Sequence, residues 1–165
     1  MPFTTLPSAG AKLRAVTLGS AITEIRPLAG YATAATTVNN SVTLVNATGL
    51  AVVMVANARW KWDLMAQYTS TTTADIKFGW TYPTGATLDW GGIGYNTAEA
   101  FTGFGGQTEV SVPGLGGTGS GLHLFGWVVT GSTAGTLQVQ FAQNTLTGVN
   151  TSVDIGTILI LTRLA

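Results

Sequence analysis

The chain has 165 residues, which suits one domain with a short additional segment, and only 8% of these residues are charged. Seven basic residues balance seven acidic ones, so there is no basic field to bind nucleic acid or an anionic membrane. The chain has no cysteine and one histidine, which excludes disulfides and thiol chemistry and leaves little for a metal site. We therefore expect no cofactor and no enzymatic activity.

Residues 1–30 differ from the rest of the chain and are predicted to form an anchoring arm. The opening MPFTTLPSAG lacks the basic and apolar regions of a secretory signal, so we expect no export by that route. Thr17 is a candidate cap for a helix over residues 18–25, which Pro27 would end. A helix of two turns is unstable alone, so it must dock on its own domain, a sister chain or an assembly partner. The apolar positions predicted to dock are Leu13, Leu18, Ile22 and Ile25.

Residues 31–165 are predicted to form one β domain, because their apolar residues recur with the two-residue period of half-buried strands. The predicted strands cover residues 32–37, 42–47, 50–56, 59–68, 75–82, 87–95, 107–112, 122–130, 136–142 and 157–163. Short strands with Gly- and Thr-rich connections indicate an all-β sandwich or barrel. The long Gly-rich connection at 113–121 favours a jelly roll.

The predicted strand at 122–130 is apolar on both faces, which is typical of a strand between two layers. The second layer is either part of the same core or another subunit. Low charge and a mean hydropathy of +0.35 favour a surface that is covered by copies of the chain or by a partner. The residues predicted to meet a neighbouring subunit are His123, Phe125 and Trp127.

Two alternatives involve ligand chemistry. Aromatic residues near the turn at 83–87 and the loop at 91–94 would suit a sugar-binding β-sandwich, although core packing explains them more simply. Scattered carboxylates such as Asp63 and Asp89 would suit a glycosidase only if the fold brought two of them together. The candidate glycan contacts are Trp80, Tyr82, Trp90 and Tyr95.

The string GSTAGTLQVQFAQN (131–144), followed by a Thr- and Asn-rich loop and GTILILTRLA (156–165), resembles the end of short structural proteins of tailed bacteriophages that infect actinobacteria. The turn YPTGAT (82–87) and the lead-in LRAVTLGSAITEIRP (13–27) are also similar to elements of that group. Thr157 stands where the pattern often has Ser, and Phe141 where many members carry Trp. The resemblance implies a β-sandwich or jelly-roll virion protein, usually a trimer on the particle surface, with no catalytic motif.

The sequence is therefore interpreted as that of a capsid decoration (cement) protein, made in the host cytoplasm and located on the virion surface. The expected partners are copies of the chain in a homotrimer, and the major capsid protein or another virion protein. The alternative is a tail or collar fibre, or a minor tail protein, that binds a host glycan.

Overall fold

A computed structural model describes residues 26–95, 101–105, 109–117 and 119–164, and of Tyr95 and residues 101–105 it describes the backbone alone. Within these residues the chain forms β-strands and no helix. The strands are β1 (Leu28–Tyr31), β2 (Thr36–Val38), β3 (Val45–Met54), β4 (Arg59–Thr69), β5 (Ile76–Thr81), β6 (Thr87–Tyr95), β7 (Phe101–Gly105), β8 (Glu109–Val112), β9 (Gly119–Val129), β10 (Gly135–Gln143), β11 (Thr151–Val153) and β12 (Ile158–Arg163).

These strands form two antiparallel sheets. The large sheet has the order β1-β12-β4-β9-β6-β7, with β11 beside β4 and β2 beside β11. The small sheet has the order β3-β10-β5-β8. The predicted all-β sandwich is confirmed. Strands from the beginning and the end of the chain alternate in both sheets, which is the interleaving expected of a jelly roll, and β6 and β7 extend the large sheet at one edge.

The residues of β4 show why the two sheets pack face to face. Trp60, Trp62 and Leu64 are buried, whereas Lys61 and Met65, on the opposite face, are exposed. Successive side chains of a strand point to opposite faces, so the strict alternation in β4 presents one apolar face to the small sheet. The predicted strand at 59–68 is thus confirmed almost to the residue.

The centre of the core is a cluster of three indole rings. Trp62 and Trp90 come from the large sheet, and both are paired in register with Gly126 of β9, which lies between them. Trp80 of the small sheet packs against Trp62 with ring centroids 4.3 Å apart and against Trp90 with centroids 5.8 Å apart. A glycine between two tryptophans leaves the space that the rings occupy.

Strand boundaries differ from the prediction where the sheets meet. The segments predicted as separate strands at 42–47 and 50–56 form the single strand β3, which continues through Gly49 at a φ of +82°. A Cβ atom at Gly49 would collide with the carbonyl oxygen of Tyr31 in β1. Glycine at this position therefore permits the close approach of β1 to β3 that joins the two sheets along one side.

The prediction is wrong for the start of the domain. Instead of one strand at 32–37, the structure has β1 and β2 separated by a bend. Strand β1 pairs with β12, so residues 28–30, predicted to belong to the arm, are part of the large sheet. Alternation also failed to predict β7 and β11, and β11 has three residues inside a Thr- and Asn-rich stretch.

Buried polar groups hold the loops at one end of the sandwich. The Gln143 side chain is fully buried, and its Oε1 accepts hydrogen bonds from the backbone N–H groups of Ser41 and Thr147. Its Nε2 donates to Thr147 Oγ1 and to the carbonyl of Val149. Gln143 thus replaces the water that these backbone groups would otherwise bind, and it joins two loops to the end of β10.

The predicted arm helix at 18–25 lies outside the described residues, and so do all four of its proposed contact residues. These are Leu13, Leu18, Ile22 and Ile25. In the part of the chain that the structure describes, no helix is long and apolar enough to cross a membrane.

Candidate assembly surface

The outer face of the large sheet, which points away from the small sheet, carries a row of mainly apolar residues. Strand register places five residues side by side across five strands. Tyr31 and Met65 are exposed over 55% and 46% of their surfaces. In order across β1, β12, β4, β9 and β6 the row is Tyr31, Ile158, Met65, His123 and Ile93.

Two further rows extend this surface. The next row contains Ala29, Ile160, Asp63, Phe125 and Gly91, in the same strand order. The third row places Trp127, 47% exposed, between Lys61 of β4 and Asp89 of β6. The rings of His123 and Phe125 lie 5.2 Å apart, so the centre of the face is aromatic. We refer to these three rows as the outer face.

The central carboxylate of the outer face is neutralised within the chain. Asp63 Oδ2 lies 3.1 Å from Lys61 Nζ, and Asp63 Oδ1 lies 3.2 Å from His123 Nε2. All three side chains belong to adjacent positions on β4 and β9. A partner that covers this face therefore does not need to supply an ion for Asp63.

The outer face of the small sheet has a different composition. Gln138 and Gln140 of β10 occupy it, with Gln140 Nε2 donating to Asn46 Oδ1 over 2.9 Å. Lys77 Nζ forms an ion pair with Glu109 Oε2 at 3.1 Å. Side-chain amides and ion pairs of this kind are typical of a face that stays in water. This face also carries an exposed apolar residue, Val53 of β3. The aromatic side chains, however, are concentrated on the outer face of the large sheet.

The residues predicted to contact a neighbouring subunit lie together on this apolar surface. His123, Phe125 and Trp127 point outward from β9, and the alternate residues Leu122 and Leu124 are buried in the core. Sequence reasoning missed the contributions of the other strands. Met65 sits among charged residues in the sequence, and only the pairing of β4 with β9 shows that it adjoins His123.

The two tryptophans of the predicted glycan platform are buried. Trp80 and Trp90 are only 8% and 4% exposed, because both occupy inward positions and pack on Trp62. Tyr82 is partly exposed. The side chain of Tyr95 lies outside the described residues. An aromatic ring must present a free face to stack on a sugar, and the two tryptophans present none.

Neither the glycosidase alternative nor a metal site gains support from the described residues. Asp63 is engaged by Lys61 and His123, and Asp89 lies two strands away on the same open face. Among the residues that the structure describes, no group of three His, Asp or Glu side chains is placed to hold a metal ion.

Comparisons with known proteins identify no family. No family model matches the chain. No curated protein matches it either. Among solved structures, the tripod (BppUct-A-L) from the baseplate of bacteriophage Tuc2009 aligns with 99% of this chain and 75% of its own, at 10% identity and a TM-score of 0.41.

A second similarity is to the structure of infectious bursal disease virus, Gx strain. It covers 85% of this chain and 37% of the viral chain, at 7% identity and a TM-score of 0.30. Scores at these levels establish neither a common fold nor a common function, so neither similarity contributes to the proposals below.

Proposed function

We propose that this chain is a structural protein of a tailed-phage virion, and specifically a trimeric capsid decoration protein on the particle surface. The observation that carries the proposal is the apolar outer face, five strands wide, on a chain with only seven basic and seven acidic residues. Contiguous exposed apolar surface of this kind marks an interaction site in a soluble protein. In a protein that works as part of an assembly, neighbouring subunits can cover such a surface.

The resemblance to phage structural proteins supports the same proposal. The string at residues 131–144 includes the whole of β10, and the C-terminal string includes the whole of β12. Gln143, within the first string, ties two loops to the sandwich. The matched residues thus build the framework of the fold, and the proposed role is structural rather than catalytic.

The proposed mechanism is cementing. The residues before β1 supply an arm whose apolar positions bury against the major capsid protein or another virion protein, and the β domains associate with one another. Apolar area buried at the seams between capsid subunits contributes about 25 cal/mol per Å² to the stability of the shell, before the entropic cost of binding is subtracted.

The copy number of the chain in purified virions tests this proposal. Quantitative mass spectrometry with isotope-labelled peptides should find the chain in a fixed ratio to the major capsid protein, at a number high enough to coat the head. If the ratio of the chain to the major capsid protein stays fixed through successive density gradients, contamination of the virions by unbound chain is excluded. A handful of copies, in multiples of three, would instead indicate a tail or collar protein. Absence from washed virions would reject a virion role.

A further inference from the structure

We infer that the outer face of the large sheet is covered by a second copy of this chain. The inference rests on the proposed function in one respect, since a trimer already requires self-association. It goes further by assigning the contact to one surface, centred on Met65, His123 and Phe125. The opposite outer face, with its glutamines and its Lys77–Glu109 ion pair, is left to solvent.

The dimensions of the outer face suit a protein–protein contact. Five strands at a spacing of ~4.8 Å, and about four to six residues along each strand, give a flat area of roughly 300–500 Å² before side-chain relief is included. A stable interface buries about 800 Å² of accessible surface on each partner. Tyr31, Met65 and Trp127, each about half exposed, add accessible area to this flat value.

The residue types are those that carry binding energy in protein interfaces. Tyr, Trp, Phe and Met are enriched in interface cores, and Lys, Glu and Asp are depleted there. The row through Met65 follows this pattern, with Tyr31 at one end and His123 near the other. Arg59 and Lys61 lie towards one end of β4, and Asp63, which stands next to the Met65 row, is paired with Lys61.

The charge on this face favours another copy of the chain as the partner. The three rows contain Lys61, Asp63 and Asp89, and Arg59 stands at the next outward position of β4, so both signs of charge are present. Asp63 is already paired with Lys61 and His123. A strongly acidic or basic partner would find no complementary field here. A second copy has no net charge to repel the first, because the chain carries equal numbers of basic and acidic residues.

Sedimentation velocity over a range of concentrations tests the inference with two matched variants. Met65→Glu places a charge in the middle of the outer face, and Val53→Glu places the same charge at an exposed apolar position of β3 in the small sheet. We expect Met65→Glu to weaken self-association at least about 100-fold, because its carboxylate would be buried without a partner. Val53→Glu should leave the dissociation constant within about threefold. Circular dichroism of both variants checks that they fold.

Fluorescence of the unaltered chain provides an independent readout. All five tryptophans lie in the described residues, and Trp127 is the exposed one. Acrylamide quenching of Trp127, identified by comparison with Trp127→Phe, should decrease as the chain associates. Association with unchanged quenching, or equal effects of the two glutamate variants, would overturn the assignment of the surface while leaving self-association intact.

A chain that stays monomeric at about 100 μM would overturn both self-association and this inference. The virion role would then be judged by the copy number alone, because a monomeric cement protein is still found in the particle. The two failures are therefore distinguishable.

Discussion

Gly126 is a small residue on which the packing of the largest side chains depends. A Cβ atom added there would lie 2.8 Å from Cα of Trp90 and would also meet the carbonyl oxygen of Asp89. The adjacent indole rings have no hydrogen-bond acceptor for their N–H groups among the described residues, so ring packing holds the cluster together. The indole N–H groups without an acceptor are those of the three clustered rings, Trp62, Trp80 and Trp90, and that of Trp60.

Substitution of Gly126 by alanine should therefore destabilise the fold. We expect the free energy of unfolding in urea to fall by about 2–3 kcal/mol, since the added methyl group meets backbone atoms that cannot move aside easily. Gly119→Ala is the control, because Gly119 lies on the same strand and a Cβ atom there meets nothing within 4 Å. Its effect should be within about 0.5 kcal/mol. Equal losses in both variants would show that packing at Gly126 is not the cause.

At the scale of the elements, β4 and β9 join the core to the candidate assembly surface. The two strands pair along their whole length, from Arg59 opposite Val129 to Thr69 opposite Gly119. Their inward residues build the core, and their outward residues build the middle of the outer face. Because strand register aligns both faces at once, a shift of one residue would exchange them. The core therefore fixes the position of every outward residue.

The arm is the element proposed to attach the domain to the particle. Ile22→Ala combined with Ile25→Ala should abolish association with virions, because both side chains belong to the predicted apolar side of the helix. The β domain should remain folded, since strands of both sheets supply its buried core residues. Virion co-sedimentation and thermal denaturation measure the two effects.

The matched control for the arm is Ser20→Ala combined with Thr23→Ala, on the opposite side of the predicted helix. This pair should co-sediment with virions like the unaltered chain. If the isoleucine pair also bound normally, the arm would not be the anchor.

At the scale of the whole molecule, Tyr68 links the two sheets and the long connection before β9. Its ring packs edge-on against Phe78 of the small sheet, with centroids 6.3 Å apart, and its hydroxyl donates to the carbonyl of Pro113 over 2.8 Å. Burial raises the pKa of Tyr68 above its usual value of 10.0, and the charge of Asp75 adds to this, while a hydrogen bond with Ser120 opposes it. The folded chain therefore retains this proton at a pH where the unfolded chain releases it.

This difference in proton binding sets the sign of the change in the free energy of unfolding at alkaline pH. The unfolded chain binds fewer protons than the folded chain above about pH 10, so the free energy of unfolding falls as the pH rises through that value. Tyr68→Phe loses the hydrogen bond to Pro113 and is less stable at neutral pH. Relative to its own value at about pH 8, however, its stability should fall less by about pH 11. Urea denaturation at several pH values measures both slopes, and parallel curves would show that Tyr68 does not contribute to the difference.

Much of the architecture follows from local patterning, because a strand with one buried face must alternate apolar and polar residues. The strands at 59–68, 75–82, 87–95 and 136–142 correspond closely to β4, β5, β6 and β10 for that reason. Where the chain bends or pairs over only three residues, as at β1, β2 and β11, local alternation is too short to be informative. In β9 both faces are apolar, so alternation separated the two faces without showing which one points outward.

Long-range pairing determines the rest, because a periodic pattern specifies two faces but not which neighbours flank each face. Alternation alone does not decide whether Trp80 and Trp90 are buried or exposed. Both rings pack against Trp62 because the two sheets face each other. Met65 joins His123, and Ile158 joins Met65, only through the register of three strands that are distant in sequence. The chain's composition and periodicity thus account for a sandwich with little charge, and the antiparallel pairings that close it assemble scattered apolar residues into one surface.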